Sequence, residues 1–125
     1  MRVLLTVQHG VTPEGDYDLS PVMARVESMS DLVESVGAFN AELQEAGAWV
    51  DAGGLTSPRE AARIEASPTP GQAPHVVDGA SALGLPVMGG YWLIEAADRQ
   101  EAVSWAERAS RACRQPVIMR PLQEG

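Results

Sequence analysis

The sequence predicts a single α+β domain, a sandwich in which two helices lie on one face of an antiparallel sheet. Three observations carry this. Two segments have helical period, each is flanked by short β-rich runs, and a turn-rich stretch joins two further strand-like runs between the two halves. A chain of 125 residues with 45% apolar composition can bury a core without help from a metal or disulfide, so residues 1–125 read as one domain.

The elements follow in order. Residues 2–8 (RVLLTVQ) are a compact, partly β-branched run that reads as a strand buried on both faces. Residues 9–23 hold Gly10, Pro13, Gly15 and Pro21 among several acids and read as a polar loop. From 28 to 46, Leu32, Val36, Phe39 and Leu43 fall at spacings of four, three and four, one apolar stripe. Ser28 or Ser30 can cap that helix, and Gly47 sits where a terminating glycine belongs. Residues 48–52 (AWVDA) give a second strand. Residues 61–66 and 74–77 flank the turn-rich SPTPGQ and suggest a hairpin, while 78–88 reads as a loop. Residues 89–95 (GGYWLIE) have the strongest β-propensity in the chain. Asp98 with Glu101 resembles a capping box, followed at helical spacing by Ala102, Trp105, Ala109 and Cys113. Residues 115–122 (QPVIMRPL) close with a strand. The order is β-α-β, a hairpin, then β-α-β.

Composition excludes several functions. Seventeen acids against nine bases, a net charge of −8, argue against nucleic acid, whose binders need a basic face. All nine bases are arginine, so Schiff-base catalysis by lysine is excluded. Missing lysine beside abundant Ala and Gly reads as the codon bias of a GC-rich genome. One cysteine, Cys113, cannot form an internal disulfide and leans toward a reducing compartment. No signal-peptide core and no run of roughly 20 apolar residues is found, so a cytoplasmic protein without membrane partners is expected. No glycine loop has P-loop or Rossmann context, and two histidines without a ligand cluster point to no metal and no cofactor.

Val76-Val77-Asp78-Gly79, followed by Gly89-Gly90-Tyr91-Trp92-Leu93-Ile94-Glu95, resembles the YCII-related (DGPF-domain) proteins. Phe39–Leu43 before Ala46-Gly47 is similar to their first helix, Ala102–Ala106 to their second, and Val117–Leu122 to their terminal strand. The resemblance implies a ferredoxin-like β-α-β-β-α-β unit that forms a dimeric α+β barrel, and cofactor-independent chemistry on small organic molecules. A homodimer also follows from physics, since helices on one side leave the other sheet face bare. The chain departs from the family at Ala80-Ser81, where Pro-Phe is usual, and at the apolar 82–86 (ALGLP), where charges are usual. It also lacks a first-helix histidine.

Candidate chemistry centres on a few side chains. His9 and His75 are the two groups with unperturbed pKa near neutrality; His9 ends the first strand, where sites lie, or is a solvated strand-end ring. Alternation puts His75 and Asp78 on opposite faces, which disfavours a dyad. Asp78-Gly79 is a turn signal, and Asp78 is also the catalytic candidate, a carboxylate opening on an apolar cleft with His9 as helper. Asp51 is a raised-pKa carboxylate if it points inward and an edge residue if it does not. Tyr91 can donate to a carbonyl or enolate, or pack in the core. Arg120 can hold a carboxylate or a partner's acid. Leu83, Leu85 and Met88 are expected to border a pocket and bind substrate. Cys113 reads as a packed small hydrophobe.

Two functions follow. One is a cofactor-independent enzyme moving a proton on a small hydrophobic molecule by isomerisation, elimination or cyclisation, in a setting such as natural-product metabolism. The other is a non-catalytic small-molecule-binding or regulatory protein.

Overall fold

A computed structural model describes residues 1–124 and has the predicted α+β architecture. Strand β1 (Arg2–Val11) is central. It pairs antiparallel with β6 (Val87–Glu95) on one side and β7 (Val117–Pro121) on the other, and β6 pairs antiparallel with β3 (Trp49–Gly54). The order β7-β1-β6-β3 is that of a ferredoxin-like sheet. Helices α2 (Met29–Glu45) and α3 (Arg99–Cys113) cover one face.

The core lies beneath the helices. Val3 and Leu5 of β1 and Trp92 and Ile94 of β6 meet Phe39 and Leu43 of α2 and Trp105 of α3, all buried. Phe39 stands edge-on to both Trp92 and Trp105, with ring centroids 5.3 and 6.1 Å apart. Outside the core, Arg108 lies 4.1 Å over the Trp105 ring and pairs with Glu42, which joins the helices across their exposed seam.

The helix ends follow the predicted chemistry. Ser28 Oγ accepts from the Asp31 amide at 3.1 Å, Asp98 Oδ1 accepts from the Glu101 amide at 2.8 Å, and the Glu101 carboxylate accepts from the Ala97 amide at 2.6 Å. Gly47 follows α2 at φ +71°, a conformation that a side chain would oppose.

Three expectations change. The segment 9–23 is not a plain polar loop. β1 runs on to Val11, pairs with β2 (Tyr17–Asp18), and a short helix α1 (Ser20–Met23) follows. Ladder pairing of His9 with Val87 and of Gly10 with Asp18 outweighs the local turn composition. The first strand is buried fully on its helix side, but on the other face Thr6 is buried while Leu4 and Gln8 are only half-buried. The hairpin, β4 (Ala62–Glu65) with β5 (His75–Asp78), forms a small sheet of its own and does not join the main one.

Two bulges set which side chains face the helices. Val7 pairs with Gly90 but Gln8 with Met88, which leaves Gly89 as the extra residue of β6. Trp49 pairs with Ile94 and Asp51 with Leu93, which leaves Val50 extra in β3. Among the described residues no helix is long and apolar enough to cross a membrane.

Candidate active site

Beyond Phe39 the helix layer parts from the sheet. Helix α2, chiefly through its N-terminal half and on to Asn40, overhangs the ends of β1, β6 and β3, enclosing an open-sided cavity of about 550 Å³. Met29, Leu32, Val36 and Asn40 form its roof; Val7, His9, Ala52, Gly90 and Trp92 form its floor, and Tyr17 and Leu19 its end wall. Among the described residues no Asp, Glu or Arg lines it. Apolar walls with a few polar groups are the usual make-up of a small-molecule site.

His9 enters this cavity because Val7, on the helix-facing side of β1, is two residues before it. Its ring lies against β6 at the bulge. A Cβ on Gly89 would fall 2.7 Å from His9 Nε2 and closer still to Cδ2, so any side chain there would displace the ring from this place. Tyr17 packs edge-on from the other side, centroids 5.1 Å apart at 61°. Burial lowers the His9 pKa below its ordinary 6.5, so the imidazole is neutral at neutral pH and offers a proton acceptor.

Tyr17 is held firmly. Its hydroxyl donates to the Leu55 and Thr56 carbonyls at 3.0 and 2.9 Å, and burial raises its pKa. It also borders a second pocket of about 370 Å³, where Leu55, Pro58, Leu83, Val87 and Met88 meet outside the sheet end. Tyr17 thus forms the wall between two apolar spaces. On the cavity roof, Asn40 Oδ1 accepts from the buried Trp92 indole N–H at 2.8 Å.

The predicted site residues are dispersed. His9 alone puts its side chain on the helix-side cleft floor. Tyr91 contributes to the cavity wall, but its side chain stands on the opposite sheet face, where its hydroxyl donates to Asp51 Oδ2 at 2.9 Å. That hydrogen bond is the main cause of the raised Tyr91 pKa. Asp51 is therefore an exposed acceptor and not an inward carboxylate, because the Val50 bulge turns it to the open face. Arg120 is exposed on that same face, paired across the ladder with Leu4.

Asp78 and His9 are not brought together. Asp78 ends the separate hairpin, is exposed, and lines neither of these spaces. The next residue, Gly79 at φ +88°, donates its amide to the Ala61 carbonyl at 2.7 Å and closes the hairpin. His75 is exposed on the same strand. Leu83 and Met88 border the second pocket, while Leu85, 72% exposed, borders only a shallow hollow beside residues 11–15. Cys113 is buried at the cleft edge, and burial raises its thiol pKa, so it is no thiolate at neutral pH. Among the described residues no three His, Cys, Asp or Glu side chains gather as a metal site.

Tyr17 and Asn40 escaped the sequence reading. Asn40 left a signal, since it falls four residues after Val36, at a stripe position where an apolar residue is expected.

A ferredoxin-like α+β unit with a lateral, uncharged cleft defines the class. A model of the YCII-related domain matches residues 16–117, and the chain belongs to that family. No curated protein matches it.

Proposed function

We propose that the protein is a cofactor-independent enzyme that moves a proton on a small hydrophobic organic molecule bound beneath α2, by isomerisation, elimination or cyclisation. The observation that carries this is a half-buried His9 imidazole, neutral through burial, in a cavity whose walls hold no charged side chain. An uncharged cleft favours an uncharged ligand, and a neutral imidazole is the one group there suited to accept a proton near neutral pH. His9 is the base in this reading; Asp78, exposed at the hairpin end, serves the turn.

Hydrogen–deuterium exchange tests it with α-tetralone, an uncharged ketone that carries exchangeable hydrogens beside its carbonyl. The wild type accelerates exchange, His9→Gln loses about 10²–10⁴ of that acceleration, and Asp78→Asn retains it. Exchange lost in a folded Asp78→Asn protein returns the base to Asp78. Among the described residues no carboxylate lines the cavity to orient His9, which favours the second reading, a small-molecule-binding protein, and α-tetralone bound without exchange supports that one.

The same reading includes a homodimer through the uncovered sheet face. Leu4, Leu93 and Ile118 stand on that face, and Ile118 is 46% exposed, an apolar surface suited to a second copy. Light scattering at the monomer mass of 13.3 kDa at micromolar concentration removes the dimer.

A further inference from the structure

We infer that Asn40 is a ligand-binding residue whose side-chain amide donates to a carbonyl oxygen, so that the cleft selects uncharged carbonyl compounds over hydrocarbons of the same shape. The inference rests on the cavity being the ligand site proposed above.

The orientation of the amide is fixed by its partner. An indole N–H can only donate, so the Asn40 atom 2.8 Å from Trp92 Nε1 is the oxygen and the remaining atom is the NH₂ group. Trp92 is itself buried between β1 and β3 in the sheet, which holds the indole and through it the amide. Among the described residues the Asn40 Nδ2 has no protein partner, yet no buried side-chain nitrogen or oxygen is left unsatisfied. Nδ2 is therefore accessible, and Asn40 borders the cavity.

The other polar side chains of the cleft have different roles. The Tyr17 hydroxyl is committed to two backbone carbonyls, the Tyr91 hydroxyl to Asp51 on the other face, and the Cys113 thiol lies at carbonyl oxygens 3.8 and 3.9 Å away. Beside the Trp49 indole N–H, which makes no hydrogen bond among the described residues, Asn40 is the donor whose orientation a protein hydrogen bond fixes, and His9 is the neutral acceptor. Such a pair suits a ligand with a carbonyl oxygen and an acidic hydrogen beside it. The C–H bond breaks, its proton goes to the imidazole nitrogen, and the electron pair moves to the oxygen held by the amide. Return of a proton from the imidazolium to carbon regenerates the ring.

Paired probes test the assignment through binding alone, so it stands or falls separately from proton transfer at His9. Dissociation constants of α-tetralone and of tetralin, the same skeleton without the oxygen, are read from the fluorescence of Trp49 and Trp92 in the cavity wall. The wild type binds the ketone about tenfold tighter, the value of one net hydrogen bond. Asn40→Asp keeps the acceptor for Trp92 and removes the donors, so the preference falls to about one while tetralin binding changes little. Asn40→Leu gives the same loss without introducing a charge, and serves if the aspartate variant does not fold. Equal binding of the two probes to wild type, binding of neither, or a preference that survives in both variants overturns the assignment. A preserved ketone preference with no exchange at His9 overturns the proposed enzyme and leaves Asn40 in place.

Discussion

The two halves of helix α2 carry one continuous apolar stripe and meet different surroundings. The C-terminal half puts Phe39 and Leu43 into the core, against Trp92 and Trp105, where they are at most 3% exposed. The N-terminal half puts Met29, Leu32 and Val36 over a cavity, and Met29 stays 45% exposed. The same periodicity thus yields a packed core at one end and the roof of a cavity at the other. The difference comes from the floor. Under Phe39 the sheet offers Trp92, whereas nearer the N-terminus it offers Gly90, Gly54 and Ala52, too small to fill the gap.

Substitutions in and beneath the helix test this contrast. Phe39→Ala removes a ring from the centre of a three-aromatic cluster and costs about 3–5 kcal/mol in urea unfolding. A cost below about 1.5 kcal/mol would show that the core half is as loosely filled as the cleft half. Gly89→Ala comes next. Its methyl occupies the place of the His9 ring, so overpacking costs about 1–3 kcal/mol and drives the imidazole toward solvent, which returns its pKa toward 6.5. Val36→Ala costs only about 1 kcal/mol, because the side chain is partly buried, packed at the edge of the core where it borders the cavity. A larger loss would place Val36 in the core.

The smallest effect is a pH dependence. His9 has a folded-state pKa below its unfolded value, so between the two values the unfolded chain binds more protons. The contribution of the neutral ring is complete above 6.5 and declines as pH falls through 6.5 toward the lower folded value. Urea midpoints at about pH 7.5 and about pH 5 therefore differ less in His9→Gln than in the wild type. Equal differences in the two proteins would mean that His9 is solvated as an ordinary strand-end ring.

How much of this was legible in the sequence follows the range of the interactions involved. Helix caps at Ser28 and Asp98 are set by near neighbours, and sequence reasoning recovers them. The extension of β1 through Val11 depends on pairing with residues far along the chain, so its turn-forming composition misleads. Asp51 turns outward because of a single inserted residue, Val50, that no strand pattern exposes. The site is harder still. Asp78 carries the family-like motif and lies on a hairpin outside the main sheet, while Asn40 and Tyr17, which carry no motif, border the cleft. His9 was legible by its chemistry, and Gly89 beneath it only through the bulge.

The proposed chemistry needs a neutral His9 inside a cleft that receives a ligand. An NMR titration of the His9 imidazole in His75→Gln, which removes the other histidine, tests this directly. The expected midpoint lies below 6.5 and falls further when α-tetralone fills the cavity and excludes water from the ring. A midpoint at or above 6.5, or one unmoved by saturating α-tetralone, would contradict it.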